Sequence, residues 1–193
     1  MTKEIRWRII SLQAALIIVL AFGTYIAFWA NGFSTGMVHD QLVAQQIFFP
    51  GKDQVKTGGA LDPALFSQEI RDQAGNQVVT GDQARIYGED FIGVHMMSIA
   101  GGKTYSQIDT HTGDAPAIAK ATAQKDTLFK GGMLRASLLN AYAWWTMGVY
   151  AGYAAVALLI VTVGVLGALV FELLIAVRIE KPVVRSIKDA QLA

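Results

Sequence analysis

Two long runs without a charged residue restrict this chain more than any other feature. The most apolar part of the first is residues 9–30, and the second covers residues 136–171, which is 22 and 36 residues. As α-helices rising about 1.5 Å per residue, they would measure about 33 Å and about 54 Å. The hydrocarbon core of a bilayer is about 30 Å thick. The sequence therefore predicts two transmembrane helices, the second of which begins outside the membrane and then enters it.

The composition agrees with a membrane protein. Hydrophobic residues make up 53% of the chain and charged residues 16%, whereas soluble domains carry about 25% charged residues. The net charge of +1 and the lack of a basic stripe predict no nucleic-acid partner. Because the chain has no cysteine, disulfides, thiolate metal sites and haem attached through cysteine are excluded. No cofactor is expected, and the first partner is the lipid bilayer.

Basic residues predict the orientation in the membrane. They lie on the terminal side of each run: Lys3, Arg6 and Arg8 precede the first, and the second is followed by Arg178, Lys181, Arg185 and Lys188. The positive-inside rule places such residues in the cytoplasm. Because the first run ends without a small-x-small cleavage pattern, it is interpreted as an uncleaved anchor. The predicted organisation is a cytoplasmic segment 1–8, a first span 9–33, an extracytoplasmic domain 34–140, a second span with its outer extension 141–177, and a cytoplasmic tail 178–193.

Tryptophans lie where the ends of the spans are predicted. Trp7 and Trp29 bracket the first run, and Trp144 and Trp145 lie at the outer end of the second. Amphipathic rings favour the headgroup level, so these four residues are interpreted as an interfacial belt. A quinone-like molecule resting on Trp144 and Trp145 is the alternative.

The region between the spans carries helix signals, and four short helices are predicted there. The first is 37–49, ended by Pro50, and the second runs from Asp62 to Gly75. The third opens with a capping box at Thr80 and Gln83 and ends at Gly101-Gly102; the fourth runs from Asp114 to Gly131-Gly132. The fold class is thus an all-α membrane protein, with two transmembrane helices and a small helical extracytoplasmic domain between them.

Gly101-Gly102-Lys103-Thr104 is similar to the end of a phosphate-binding loop. The full pattern requires a glycine five residues before Gly102, where this chain has Met97, and a strand before the loop. A glycine pair that ends a helix is the favoured interpretation.

The only metal-site candidates are His39, His95 and Asp90. No H-x-x-x-H or H-E-x-x-H spacing occurs, and His95 lies beside the apolar stripe of a predicted helix. A histidine with a satisfied hydrogen bond is favoured over a metal ligand, so no metal and no catalytic residue is predicted.

Small residues in the second span predict close helix packing. Gly148 and Gly152 form a G-x-x-x-G pair, and Gly164 and Gly167 follow. Their partner is either the first span, through Gly23 and Ala27, or a foreign helix.

Glu172 is the one acidic residue near the inner end of a span. It is interpreted as reaching the interface or pairing with Arg6 or Arg8, rather than as a functional intramembrane charge.

Several strings resemble a family of two-span actinobacterial membrane proteins, some of which carry a ring-opening dioxygenase label. The strings are 37–42, Phe48-Phe49-Pro50, 91–95, 100–105, Leu134-Arg135 and 140–145. The resemblance implies this topology in a bacterial cell membrane, and nothing in these residues supports the dioxygenase label. The tail 178–190, with Pro182 and its basic residues, resembles the first helix of a HAMP signalling module.

Three functions are consistent with this pattern. The first is a non-catalytic accessory or assembly subunit of a larger envelope complex, for which a respiratory complex is suggested, bound to other membrane subunits through the second span and the outer domain. The second is the sensory input module of a receptor that binds a ligand in its outer domain. The third is a metal-dependent extracytoplasmic enzyme that uses His39, His95 and Asp90. Association with a second copy of the chain is compatible with each.

Overall fold

The computed structural model describes the backbone of residues 3–190 and the side chains of residues 4–175. In this range the structure contains helices and loops but no β-strand, apart from one isolated bridge between Phe48 and Gln77. The helices are α1 (Lys3–Gln45), α2 (Gln68–Arg71), α3 (Gly81–Ile86), α4 (Gly93–Ala100) and α5 (Ala115–Ala190). A π-helical segment, Tyr87–Ile92, joins α3 to α4 without a break, and short 3-10 turns cover Lys52–Gln54 and Tyr105–Gln107.

Helices α1 and α5 are long and apolar enough to cross a membrane. Their most apolar 18-residue windows have mean hydropathies of 2.2 and 2.7, and only 11% and 6% of those windows is buried. A long helix at the core of a soluble protein would be mostly buried, so the exposed apolar surface of α1 and α5 is the kind that lipid covers.

The chain divides into two compact units. The terminal unit comprises residues 1–31 and 150–193, and the central unit comprises residues 32–149. The predicted outer domain was 34–140, so the central unit also takes in the first part of the predicted second span. Where the membrane begins and ends along α1 and α5 stays a prediction.

The central unit is built around an apolar core supplied by its helices and loops. Its most deeply buried side chains are those of Val38, Leu42, Leu61, Ile70 and Val78, each at most 2% exposed. An aromatic group flanks them, with Tyr87 packed edge-on against Phe49 at 5.1 Å between ring centroids. Burial of this kind stabilises the fold by roughly 25 cal/mol for each Å² of apolar surface removed from water.

The predicted helix over 37–49 is confirmed for residues 37–45, but its predicted separation from the first span and its end at residue 49 are wrong. Helix α1 runs without interruption to Gln45, since no proline interrupts it and its glycines are tolerated at about 1 kcal/mol each. It stops before Pro50 because Gln46 adopts a left-handed conformation with φ 51°. The next residues pair with another segment instead: the Val78 amide donates to the Ile47 carbonyl, and the Phe49 amide donates to the Asn76 carbonyl.

The predicted helix from Asp62 to Gly75 is also wrong, apart from the single turn of α2. The Asp62 carboxylate accepts hydrogen bonds from the backbone amides of Gly58 and Ala64, at 2.7 and 2.9 Å. These bonds close a loop around Asp62 rather than opening a helix.

The predicted helix end at Gly131-Gly132 is the third error, because α5 continues through both glycines. A Cβ atom on Gly131 would lie 2.9 Å from Sδ of Met96. The glycine therefore lies where α5 meets the flexible Met96 side chain of α4, a position that sequence alone does not distinguish from a helix end.

Two predicted helix signals are confirmed. Thr80 and Gln83 form the capping box at the start of α3. Gly101 ends α4 in the left-handed conformation, with φ 59°.

Candidate functional site

The central unit contains a cleft of about 590 Å³ on the side of α4. Residues from α4, the loop after it, α5 and the π-helical segment line it: Gly93, Val94, Met96, Met97, Lys103, Thr104, Tyr105, Leu128, Arg135 and Glu89. Ligand sites in proteins are commonly of this size, with apolar walls and a few polar groups. The cleft is therefore the candidate functional site.

The loop wall of the cleft depends on the glycine pair after α4. Gly101 and Gly102 both have positive φ, at 59° and 80°. The Gly102 amide donates to the Met97 carbonyl at 2.9 Å, which closes the last turn of the helix. The chain thus reverses, and Lys103 and Tyr105 line the same cleft as Met97.

Tyr105 is fixed at its place by neighbours from α5. The Lys125 ammonium lies 5.0 Å from the centroid of the Tyr105 ring, and the Phe129 ring is 6.3 Å away. A cation–π contact of this kind is worth about 0.5–1 kcal/mol at an exposed site.

The charged side chains that line the cleft differ in whether they have an ion-pair partner. Glu89 lies 3.9 Å from Arg85, which also binds Glu69 at 2.6 Å and approaches Asp90. Lys103 and Arg135 have no ion-pair partner among residues 4–175. The cleft is therefore lined by two cations without an ion-pair partner among these residues, and by one carboxylate, Glu89, which shares the Arg85 cation with Glu69 and Asp90.

The π-helical segment brings the back of the cleft against α5. Gly88 is buried, and a Cβ on it would lie 3.4 Å from Cβ of Leu138; a Cβ on Gly93 would lie 3.9 Å from Nε of Arg135. π-Helical turns are rare and are often found at functional sites. The sequence patterns of this region predict a helix but do not indicate a π-helical segment within it.

The metal-site candidates do not converge. His95 donates its Nδ1 hydrogen to the Phe91 carbonyl at 2.8 Å and lies against the Phe66 ring, and Nδ1 of His39 contacts the Val79 carbonyl at 3.0 Å. Among residues 4–175 no three His, Asp or Glu side chains are placed to hold a metal ion. Partial burial raises the pKa of Asp90, while the nearby Arg85 cation acts to lower it.

A second feature of the central unit is an exposed stripe on α5, here called the α5 stripe. Its residues recur at alternating steps of four and three: Phe129, Met133, Ala136, Asn140, Ala143 and Met147. All six are exposed, and Phe129, Met133 and Met147 are 56%, 60% and 65% exposed. This spacing of 3.5 residues is the one by which a helix presents a continuous seam to another helix.

The four glycines predicted to pack helices fall into two pairs. A Cβ on Gly148 would lie 2.9 Å from Cγ2 of Thr35, and one on Gly152 would lie 2.9 Å from Nδ2 of Asn31. These two glycines therefore face α1 of the same chain. Gly164 and Gly167 have no described atom within 4 Å of an added Cβ.

The four predicted belt tryptophans differ in their surroundings. Trp7, Trp29 and Trp144 are about half exposed, at 49%, 57% and 52%. Trp145 packs against the core of the central unit, and a Cβ on Gly81 would lie 2.1 Å from its own Cβ.

Glu172 is half-buried in the terminal unit, and within residues 4–175 no ion pair joins it to Arg6 or Arg8. The HAMP-like pattern falls on residues 178–190, whose side chains lie outside the described residues.

The fold and the cleft define a helical protein with two potential membrane spans and a compact unit between them. No protein-family model, no curated protein and no solved structure matches this chain.

Proposed function

We propose that this protein is a non-catalytic accessory or assembly subunit of a larger membrane complex, with both termini in the cytoplasm and residues 34–140 outside it. The observation that carries the proposal is the α5 stripe, whose six side chains are all exposed in the described structure, although the Phe129 ring also approaches Tyr105. Phe129 lies 12 residues before residue 141, where the second span with its outer extension is predicted to begin, which is about 18 Å along the helix at about 1.5 Å per residue. In the proposed topology the first half of the stripe is therefore outside the bilayer, and lipid does not cover it.

The length of the charge-free run in α5 supports the same proposal. It exceeds by about 16 residues the 20 or so that a membrane requires. If the part of this run outside the membrane were exposed to water, charged residues would be expected on its surface. A facing helix removes this requirement, and the 3.5-residue spacing of the stripe fits one.

The composition of the stripe suits a specific contact. Its apolar positions are interrupted by Asn140, and one polar residue within such a seam fixes the register of the helices at some cost in stability. The proposed partner is therefore a helix of another membrane subunit, packed along residues 129–147.

Crosslinking in the native membrane tests this proposal. A photoreactive phenylalanine analogue is placed at Met133 and, as a control on another face of α5, at Thr127; both side chains are exposed. The expected result is one crosslinked species at position 133, with a stoichiometric partner by native mass spectrometry, and none at position 127.

The substitution Met133→Glu should remove the partner from the detergent-extracted complex, while Thr127→Glu should retain it. A crosslinked product of twice the chain mass of 20.8 kDa would identify a second copy and overturn the accessory-subunit proposal. Equal crosslinking at both positions, or none at either, would overturn it as well.

A second candidate function is the input module of a receptor, which the cleft in the central unit favours. An effector would bind in the cleft and bias α5, which contributes Leu128 and Arg135 to its lining. Ligand-dependent phosphorylation or methylation of a downstream signalling protein would distinguish this function from the first.

A further inference from the structure

The cleft beside α4 combines apolar walls with unpaired positive charge, and neither the accessory nor the receptor function requires that combination. Its walls include Val94, Leu128 and the thioethers of Met96 and Met97. Methionine side chains are flexible and polarisable and adapt to ligands of irregular shape. An apolar chain would displace water from these walls, at a gain of about 0.8 kcal/mol for each buried CH₂.

The two basic side chains at the rim of the cleft favour a negatively charged group on a ligand. Arg135 and Lys103 approach it from α5 and from the loop after α4. The acidic group at the rim, Glu89, lies within ion-pair distance of Arg85 and forms no ion pair with Arg135 or Lys103 among residues 4–175. An arginine guanidinium offers parallel donors that match a carboxylate or phosphate group.

The backbone places both cations, Lys103 and Arg135, at the same cleft. The reversal at Gly101 and Gly102 places Lys103, and Gly93 leaves space beside Nε of Arg135. A larger residue at position 93 would enter the space next to the guanidinium. The position of Lys103 thus depends on the two glycines that end α4, and Arg135 is held by its place on α5.

We infer that this cleft binds a single-chain amphiphile, in which an apolar chain lies against Met96, Met97 and Leu128 and an anionic head group pairs with Arg135 and Lys103. A free fatty acid and a phosphate-headed lipid fragment share this chemistry. The assignment rests on the cleft alone and is independent of the partner proposed for the α5 stripe.

Methyl NMR of the full chain in nanodiscs tests the assignment directly. The chain has six methionines, of which Met96 and Met97 line the cleft while Met37 and Met147 do not. Labelling the methionine methyl groups with ¹³C and titrating octanoate should shift the Met96 and Met97 signals saturably. The Met37 and Met147 signals report octanoate that merely enters the bilayer, and they should move much less.

Three probes with alkyl chains of the same length separate the apolar and the charged contributions to binding. Octanoate and octyl phosphate should both bind more tightly than octanol, and the tighter of the two anions indicates the source of the natural head group. Arg135→Gln should weaken octanoate binding by about tenfold, which corresponds to about 1.4 kcal/mol, and should leave octanol binding unchanged. Lys103→Gln, on an exposed loop, should act in the same direction.

Arg71→Gln is the matched control, because Arg71 lies on α2 and binds Gln68 rather than the cleft. Unchanged methyl spectra of the free variants would show that they are folded; if Arg135→Gln fails to fold, Lys103→Gln carries the test. Equal affinity for octanol and octanoate, equal loss in Arg71→Gln, or shifts distributed over all methionines would each overturn the assignment.

Discussion

Asp62 shows how a single side chain determines local structure in the central unit. It is only 9% exposed, and its carboxylate accepts backbone amide hydrogen bonds from Gly58 and Ala64. These two bonds hold the pKa of Asp62 below its ordinary value of 3.8. Because hydrogen bonds to a carboxylate favour the charged form, the folded state binds this proton less readily than the unfolded chain does.

The first prediction concerns the thermal stability of the protein at low pH. A carboxyl group whose pKa is lowered by folding stabilises the protein above its unfolded-state pKa, and this contribution is lost as the pH falls through the lowered value. Asp62→Asn should therefore lower the Tm more at pH 6 than at pH 3. Thermal unfolding followed by tryptophan fluorescence measures this, since Trp145 packs on the core. Asp72→Asn is the control, because the Asp72 carboxylate accepts a hydrogen bond from the side chain of the exposed Gln68; an equal loss of Tm in both variants would contradict the prediction.

Gly81 shows how close packing can require glycine without any unusual backbone angle. A Cβ atom on this residue would lie 2.1 Å from Cβ of Trp145. Gly81→Ala should destabilise the protein by about 1–3 kcal/mol, the usual cost of overpacking a core. Chemical denaturation measures the difference in the free energy of unfolding.

Gly131→Ala is the matched control for that experiment. The new methyl group would meet the flexible side chain of Met96, which can move, and alanine is favoured over glycine within a helix by about 1 kcal/mol. The free energy of unfolding should therefore change little. A smaller loss in Gly81→Ala than in Gly131→Ala would show that the contact with Trp145 is not the constraint.

At the scale of elements, the helical stretch that contains the π segment begins at a capping box. The Gln83 amide donates to Oγ1 of Thr80, and Oε1 of Gln83 accepts from the Thr80 amide. Thr80→Ala should cost about 1 kcal/mol, the usual value for losing such a cap. Thr122→Ala, on the exposed face of α5, should change stability by less than about 0.5 kcal/mol. Urea unfolding compares the two variants, and equal effects would contradict the assigned role of the cap.

Sequence patterns located helix signals that act within one segment. The capping box at Thr80 and the left-handed glycine at position 101 require only neighbouring residues, so both were predicted correctly. The helix end predicted at Gly131-Gly132 was wrong because both glycines lie within α5, where Gly131 lies against Met96, 35 positions earlier in the chain. The helix predicted to begin at Asp62 was wrong because the Asp62 carboxylate accepts a hydrogen bond from the Gly58 amide, which precedes it in the chain, as well as from the Ala64 amide after it.

The cleft shows the same limit for a site. The string from Gly101 to Thr104 is similar to a phosphate-binding loop, but its correct local interpretation, a helix end, does not indicate that Lys103 and Arg135 line the same cleft. The two cations are 32 residues apart and lie on separate elements. The π-helical segment was equally invisible, because apolar residues at three- and four-residue steps are compatible with either kind of helix.

At the scale of the whole molecule, the two long apolar helices follow directly from composition, whereas orientation depends on charge outside them. Basic residues precede the first predicted span and follow the second, and from them the positive-inside rule predicts that the central unit lies outside the cytoplasm. The proposed accessory function depends on this orientation, because the partner helix must be on the same side as Phe129 and Met133.

The last prediction tests the orientation with single cysteines, which the cysteine-free chain allows without background. Ser106→Cys lies on the exposed loop of the central unit and Glu4→Cys near the start of α1, and both positions are exposed. In intact cells a membrane-impermeant maleimide should label Ser106→Cys, and it should label Glu4→Cys only after the membrane is permeabilised. The reverse pattern would place the α5 stripe in the cytoplasm and invert the proposed topology. Labelling of both variants in intact cells would mean that the first span does not cross the membrane, since the two positions would then lie on the same side.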